Sequence, residues 1–264
     1  MKSLKLLLAG SLLAVTGVAQ AVLVTNNTNA AALAAAITGA GITVSNATLT
    51  TNTILPSGTF TGGAASVGFD SGIVLTTGTT ACVAGPNNQT GCTGGGNSTV
   101  LGFDFTSATG QIFFQYVFAS EEYNEFVGSG FNDSFKLFLN GVNIAQLPAG
   151  AGFVTINNVN CLANSTYYRN NSSGGPTGCT NLGLDIQYDG LTVVLTATGT
   201  VAAGLNHFDF NISDVGDSSL DSGVFIKAGS FSGINPNVVP EPGSLALMGL
   251  GLAALAAMRR RRNS

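Results

Sequence analysis

The sequence predicts an all-β domain, a β-sandwich or jelly-roll-like fold with one short N-terminal helix, followed after a linker by a C-terminal apolar helix. Three observations predict it. Short apolar runs recur from residue 42 to residue 231, and several alternate apolar with polar, as in Phe208-Asp209-Phe210-Asn211-Ile212, the pattern of a half-buried strand. Gly, Asn, Ser and Thr clusters separate these runs, as turns do. Between the ends of the chain no long helical pattern competes with them.

Element by element, Asn29 followed by Ala30 to Ile37 reads as a short helix with an Asn N-cap, stopped near Gly39 and Gly41. Strands are predicted over 42–49, 72–76, 101–105, 111–119, 134–139, 153–159, 191–198, 207–212 and 224–231. Asn140-Gly141 between Leu139 and Val142 is a hairpin turn signal. No internal repeat is visible.

The two ends read as addresses. Lys2 and Lys5, the apolar stretch Leu6 to Val18, and Ala19-Gln20-Ala21 have the three-part layout of a secretory signal peptide over 1–21. At the other end, Pro240-Glu241-Pro242 precedes an apolar run from Leu245 to Met258 and the cluster Arg259, Arg260, Arg261, Arg262. Fourteen helical residues span about 21 Å, short of the roughly 30 Å hydrocarbon core. The run therefore crosses a bilayer only with local thinning or snorkelling of its arginines. Those arginines stay cytoplasmic by the positive-inside rule and leave the domain outside.

The expected organisation is a domain over 22–232, a linker over 233–239 and a tail over 240–264. Residues 22–238 hold twelve acidic and three basic residues (Lys136, Arg169, Lys227), a formal charge of −9. Phosphate binding needs clustered Lys or Arg, so nucleic acid is excluded as a partner. The four cysteines, Cys82, Cys92, Cys161 and Cys179, all lie in the exported part, where an even count reads as two disulfides. Three pairings are open. Cys82–Cys92 and Cys161–Cys179 are favoured, since each pair brackets a Gly/Asn-rich stretch.

The motif Pro240-Glu241-Pro242, the apolar run and the terminal arginines resemble the PEP-CTERM sorting signal of Gram-negative bacteria. The resemblance implies an exosortase as processing partner. It also implies a transient inner-membrane anchor through the tail, and final residence at the cell surface or in an extracellular matrix rich in exopolysaccharide. In the middle of the chain, Phe118 to Phe135 (with Glu121-Glu122-Tyr123-Asn124-Glu125), Asp214 to Phe231 and Asp70 to Gly78 resemble the choice-of-anchor L domain, a surface-protein module. That resemblance implies an architecture and a location and leaves the ligand open.

The acidic loops carry the site hypothesis. Glu121 and Glu122 follow one strand, Asp133 opens the next, and Asp214, Asp217 and Asp221 lie between the last two strands. If these loops meet at one end of a sandwich they offer many oxygens and no nearby cation. Calcium takes six to eight such ligands, and one Ca²⁺ site using some of Glu121, Glu122, Asp133, Asp217 and Asp221 is the candidate; no other cofactor is indicated. Asp, Asn and Gly are also ordinary turn residues, and solvated acidic loops are the plain alternative.

Catalysis is the weakest reading. Glu122 with Asp133 or Asp221 has the residue types of a glycosidase pair. However, the chain lacks Trp and the nucleophile-elbow, P-loop and zincin motifs. His207, in an alternating strand, reads as structural. Tyr116, Tyr123, Tyr167, Tyr168 and Tyr188 read first as core cover and second as ligand platforms. The leading expectation is therefore a non-enzymatic surface or matrix protein of the exopolysaccharide envelope. A calcium-dependent lectin-like adhesion module, binding exopolysaccharide or a surface protein, stands second, and a carbohydrate-active enzyme third.

Overall fold

Ala30–Ile37 forms the helix α1 in the computed structural model, which describes residues 21–88 and 98–236. Its start is set by Asn29, whose side-chain oxygen accepts the Ala32 N–H at 3.0 Å, satisfying one of the donors that a helix leaves open. Leu33, Ala34 and Ile37 are buried, so α1 contributes one face to the core. Beyond Thr38 the chain turns extended, and the Gly39 N–H donates to the Phe231 carbonyl at 2.8 Å. A Cβ at Gly39 would collide with the Gly229 carbonyl oxygen, so this close approach needs glycine.

Two antiparallel sheets face each other. One holds, in spatial order, β1 (Leu23–Asn26), β3 (Ser57–Thr61), β4 (Gly72–Thr76), β13 (Ser222–Lys227), β6 (Gln111–Ser120), β10 (Gly190–Thr192) and β9 (Tyr168–Asn170), with β11 (Leu195–Thr200) also paired to β6. The other runs β2 (Ile42–Thr51), β5 (Ser98–Ser107), β12 (Asn206–Ser213), β7 (Ser134–Leu139) and β8 (Val142–Asn143). The β7–β8 hairpin turns at Asn140-Gly141, where both residues adopt positive φ (49° and 82°), as a tight hairpin requires.

Between the sheets lies an aromatic core. Phe103 and Phe105 of β5, Phe208 and Phe210 of β12, Phe114 of β6 and Phe231 are fully buried, and their rings contact one another at centroid distances such as 4.8 Å for Phe208–Phe210 and 5.1 Å for Phe105–Phe231. β12 alternates as expected because its other face is open to solvent. The larger sheet differs. A second buried cluster, including Phe60, Val74, Val117, Tyr188 and Phe225, covers its outer face. Buried on both sides, β4 and β6 read as near-continuous apolar runs.

Several boundaries depart from the sequence reading. Residues 153–159 form turns with only isolated bridges, Gln146 to Phe153 and Ser134 to Thr155. Asn157 and Asn158 explain this. Their side chains bond the backbone at Gly128, Ser129, Ala151 and Phe153 and draw the segment out of a ladder. The predicted strand 191–198 divides into β10 and β11, both on β6, where the register gains one residue between Leu191↔Ala119 and Leu195↔Tyr116. β13 ends at Lys227, after which Gly229 (φ 64°) turns the chain back. Strands β1, β3, β8 and β9 were not anticipated. They carry too few apolar residues to announce themselves, and β3 has Phe60 alone.

The predicted disulfide Cys161–Cys179 is present, with Cα atoms 5.8 Å apart. Its loop is more ordered than expected, since it contains β9. Cys82 is also disulfide-bonded; its predicted partner, Cys92, lies outside the described residues. So do the leader, the motif Pro240-Glu241-Pro242, the apolar run 245–258 and Arg259 to Arg262. Among the described residues no helix is long and apolar enough to cross a membrane.

Candidate functional site

Three loops converge at one end of the sandwich, as the sequence hypothesis required: the segment after β4, the segment 121–133 between β6 and β7, and the segment 214–221 between β12 and β13. Ser222, the first residue of β13, is the knot. Its hydroxyl donates to Asp133 Oδ2 at 2.6 Å and lies 2.7 Å from Ser120 Oγ at the end of β6. Asp133 Oδ1 accepts the Val215 N–H at 2.8 Å. Asp221 Oδ1 accepts from the Gly78 N–H at 2.7 Å and the Thr77 hydroxyl at 3.0 Å, and its Oδ2 accepts from the Tyr188 hydroxyl at 3.2 Å. Asp133 and Asp221 thus act as buried acceptors that tie the loops together, 0 % and 2 % exposed.

Consecutive side chains after a strand point to opposite sides, and this separates the two glutamates. Glu121 turns toward Asp189, Asp221 and Gln187. Burial, and then the charges of Asp189 and Asp221, push its carboxyl up to about 9. Glu122 turns toward Asp133, Asp217 and Asp214. Burial, then those three charges, push it up to about 8. Asp214 rises to about 8 for the same reasons, burial first and then Asp133 and Asp217. Asp221 rises to about 7 and Asp133 to about 6, each by burial and each partly offset by the hydrogen bonds named above. Glu121 Oε1, Glu122 Oε2 and Asp214 Oδ1 are buried with no hydrogen-bond partner in the protein.

No positive charge reaches this end. Arg169 donates to the Ser66 and Ala65 carbonyls, and Lys227 to Gln115. The ion pairs among the described residues are those of His207 with Asp104 and Asp209, on the solvent face of the smaller sheet. His207 is therefore a surface residue between two carboxylates, remote from any nucleophile. Tyr116, Tyr123 and Tyr188 are fully buried and Tyr168 nearly so, which makes them core cover.

Of the five residues singled out for calcium, the fold brings Glu122, Asp133 and Asp217 to one side and Glu121 and Asp221 to the other. Asp214 and Asp189 join these two groups. Asp214 stands in the acidic loop and was legible as a donor of oxygens, whereas nothing in the sequence around Asp189 marks it. Among the described residues no group of three or more His, Cys, Asp or Glu is arranged to hold a metal ion. Beside the acidic end, β7 and the 153–155 segment flank a groove of about 530 Å³, lined by Phe138, Phe153, Lys136, Asn132, Asn143 and Val215 among others.

Residues 22–232 match the family model described as Choice-of-anchor L domain, and residues 238–262 match the PEP-CTERM protein-sorting motif. No curated protein and no solved structure matches the chain.

Proposed function

The chain belongs to the choice-of-anchor L domain family, and from that premise we propose that it is a non-enzymatic protein of the exopolysaccharide or biofilm envelope. Its sorting signal and anchor domain mark it as an exported, exosortase-sorted surface protein of a Gram-negative bacterium. The observation that carries the finer reading is the placement of the sorting motif directly behind a complete two-sheet domain: the domain match ends at 232 and the motif begins at 238. In this reading the apolar run 245–258 holds the exported domain at the inner membrane through Arg259 to Arg262. The exosortase then acts at Pro240-Glu241-Pro242 and releases it outward.

The families matched are anchor and sorting families, not enzyme families. Physical access supports the non-enzymatic reading too. Glu122 and Asp133, the best glycosidase pair on paper, are 1 % and 0 % exposed, so a sugar ring cannot pass between them. Fractionation of the producing strain tests the proposal. Wild-type chain is expected in the surface and matrix fractions with its tail removed. Glu241→Ala, or loss of the exosortase, should hold the full-length chain in the inner membrane. An unchanged distribution and mass in both cases would refute it.

A second reading, a lectin-like adhesion module, is favoured by the groove beside the acidic end, where Phe138 and half-exposed Phe153 lie with Asn132, Asn143 and Lys136. Aromatic faces with amide donors suit a sugar polymer. Saturable binding of the strain's own exopolysaccharide that falls in Phe153→Ala would support it, and absence of binding with and without calcium would remove it for that polymer.

A further inference from the structure

Glu122 and Asp214 share an unusual condition. Glu122 is 1 % exposed. Its Oε2 and the Oδ1 of Asp214 are each buried without a partner in the protein. Leaving such an oxygen without a partner costs free energy, more so when it is charged. The other acidic groups nearby are engaged differently. Asp133 has both oxygens committed, to Val215 and Ser222. Asp217 is exposed and accepts the Ser219 N–H at 3.1 Å. The two orphaned oxygens therefore belong to carboxylates that face one another across the segments 121–133 and 214–221, in a field of like charge.

We propose that Glu122 and Asp214 together bind one calcium ion at the acidic end of the sandwich, with Asp217 on its solvent side. Two carboxylates neutralise the ion's two charges. No third acid, histidine or cysteine converges on the same point, so the rest of the shell comes from backbone carbonyls and water. Calcium accepts such mixed, irregular oxygen shells of six to eight ligands, whereas magnesium demands a near-ideal octahedron. Zinc and the softer metals want imidazole or thiolate. The histidine, His207, is on the solvent face of the smaller sheet, and Cys161 and Cys179 are joined to each other. The competitor for the same oxygens is a proton, which would leave the site indifferent to calcium. The inference stands apart from the sorting proposal, and either can fail alone.

Titration calorimetry and thermal melts of the full-length protein in detergent, with calcium chloride or magnesium chloride alone as the probe, decide it. Wild type is expected to bind calcium saturably near neutral pH with Kd of about 10⁻⁴–10⁻³ M, the range of extracellular modules, and to prefer it to magnesium. Glu122→Gln and Asp214→Asn should each weaken binding by at least about 10-fold, no less than loss of an outer-shell partner does. Asp209→Asn, on the other sheet, should bind as wild type. In chelator Asp214→Asn should melt no lower than wild type, which separates a ligand from a structural residue. No heat and superimposable melts for wild type, or wild-type affinity in Asp214→Asn, would overturn the proposal whatever Glu122→Gln does.

Discussion

Replacing Glu121 by Gln should stabilise this protein at neutral pH, the reverse of what most buried substitutions do. Glu121 is 5 % exposed, and burial with the Asp189 and Asp221 charges raises its carboxyl from 4.5 to about 9. A carboxyl whose folded pKa is raised favours folding least where the unfolded chain is ionised. Its contribution is fully present below pH 4.5 and is lost as pH rises toward 9. At pH 7 the folded group is protonated while the unfolded one is not, and a gap of about 2.5 pH units from the unfolded value corresponds to about 3 kcal/mol against folding. Glutamine keeps the shape and removes this term. Urea unfolding in chelator should therefore show Glu121→Gln about 3 kcal/mol more stable than wild type at pH 7, with the gap closing as pH falls to 4.5. Wild type alone should be more stable at pH 5 than at pH 7.5 through this group. If Glu121→Gln lowers stability equally at both pH values, the carboxyl is ionised and compensated in the fold, and the reasoning is wrong.

Other outcomes follow from the core and the ties between loops. Phe208→Ala removes a ring that contacts Phe103, Phe105, Phe114, Phe210 and Phe231, and should cost about 3–5 kcal/mol in denaturant unfolding. Asp221→Ala leaves the Gly78 N–H and the Thr77 and Tyr188 hydroxyls without an acceptor, and a loss of at least about 3 kcal/mol is expected by the same assay. The double change Cys161→Ser with Cys179→Ser opens a loop of 18 residues' separation and should lower stability by about 3 kcal/mol, whereas reduction should leave that variant's remaining Cys82 bond as the one that responds. Asn29→Ala removes the α1 cap and should cost about 1 kcal/mol, seen as a small drop in melting temperature.

By itself the sequence determined whatever rests on local chemistry. The cap at Asn29, the Asn140-Gly141 hairpin and the alternation of β12 follow from backbone preference and period. The sorting signal follows from the order of motif, apolar run and arginines. The acidic loops were legible as a set of oxygens because no cation is interleaved with them. Tertiary structure decided what depends on facing. The neighbours Glu121 and Glu122 lie on opposite sides because side chains alternate, and only the pairing of β6 with β13 and β10 fixes which acids each one meets. Asp133 and Asp221 look like their neighbours in sequence, yet a hydroxyl and N–H groups from distant segments make them structural acceptors. The strands around Phe60 and Tyr168 were silent because a ladder in a sheet covered on both faces needs backbone partners more than apolar residues, and those partners are far away in the chain.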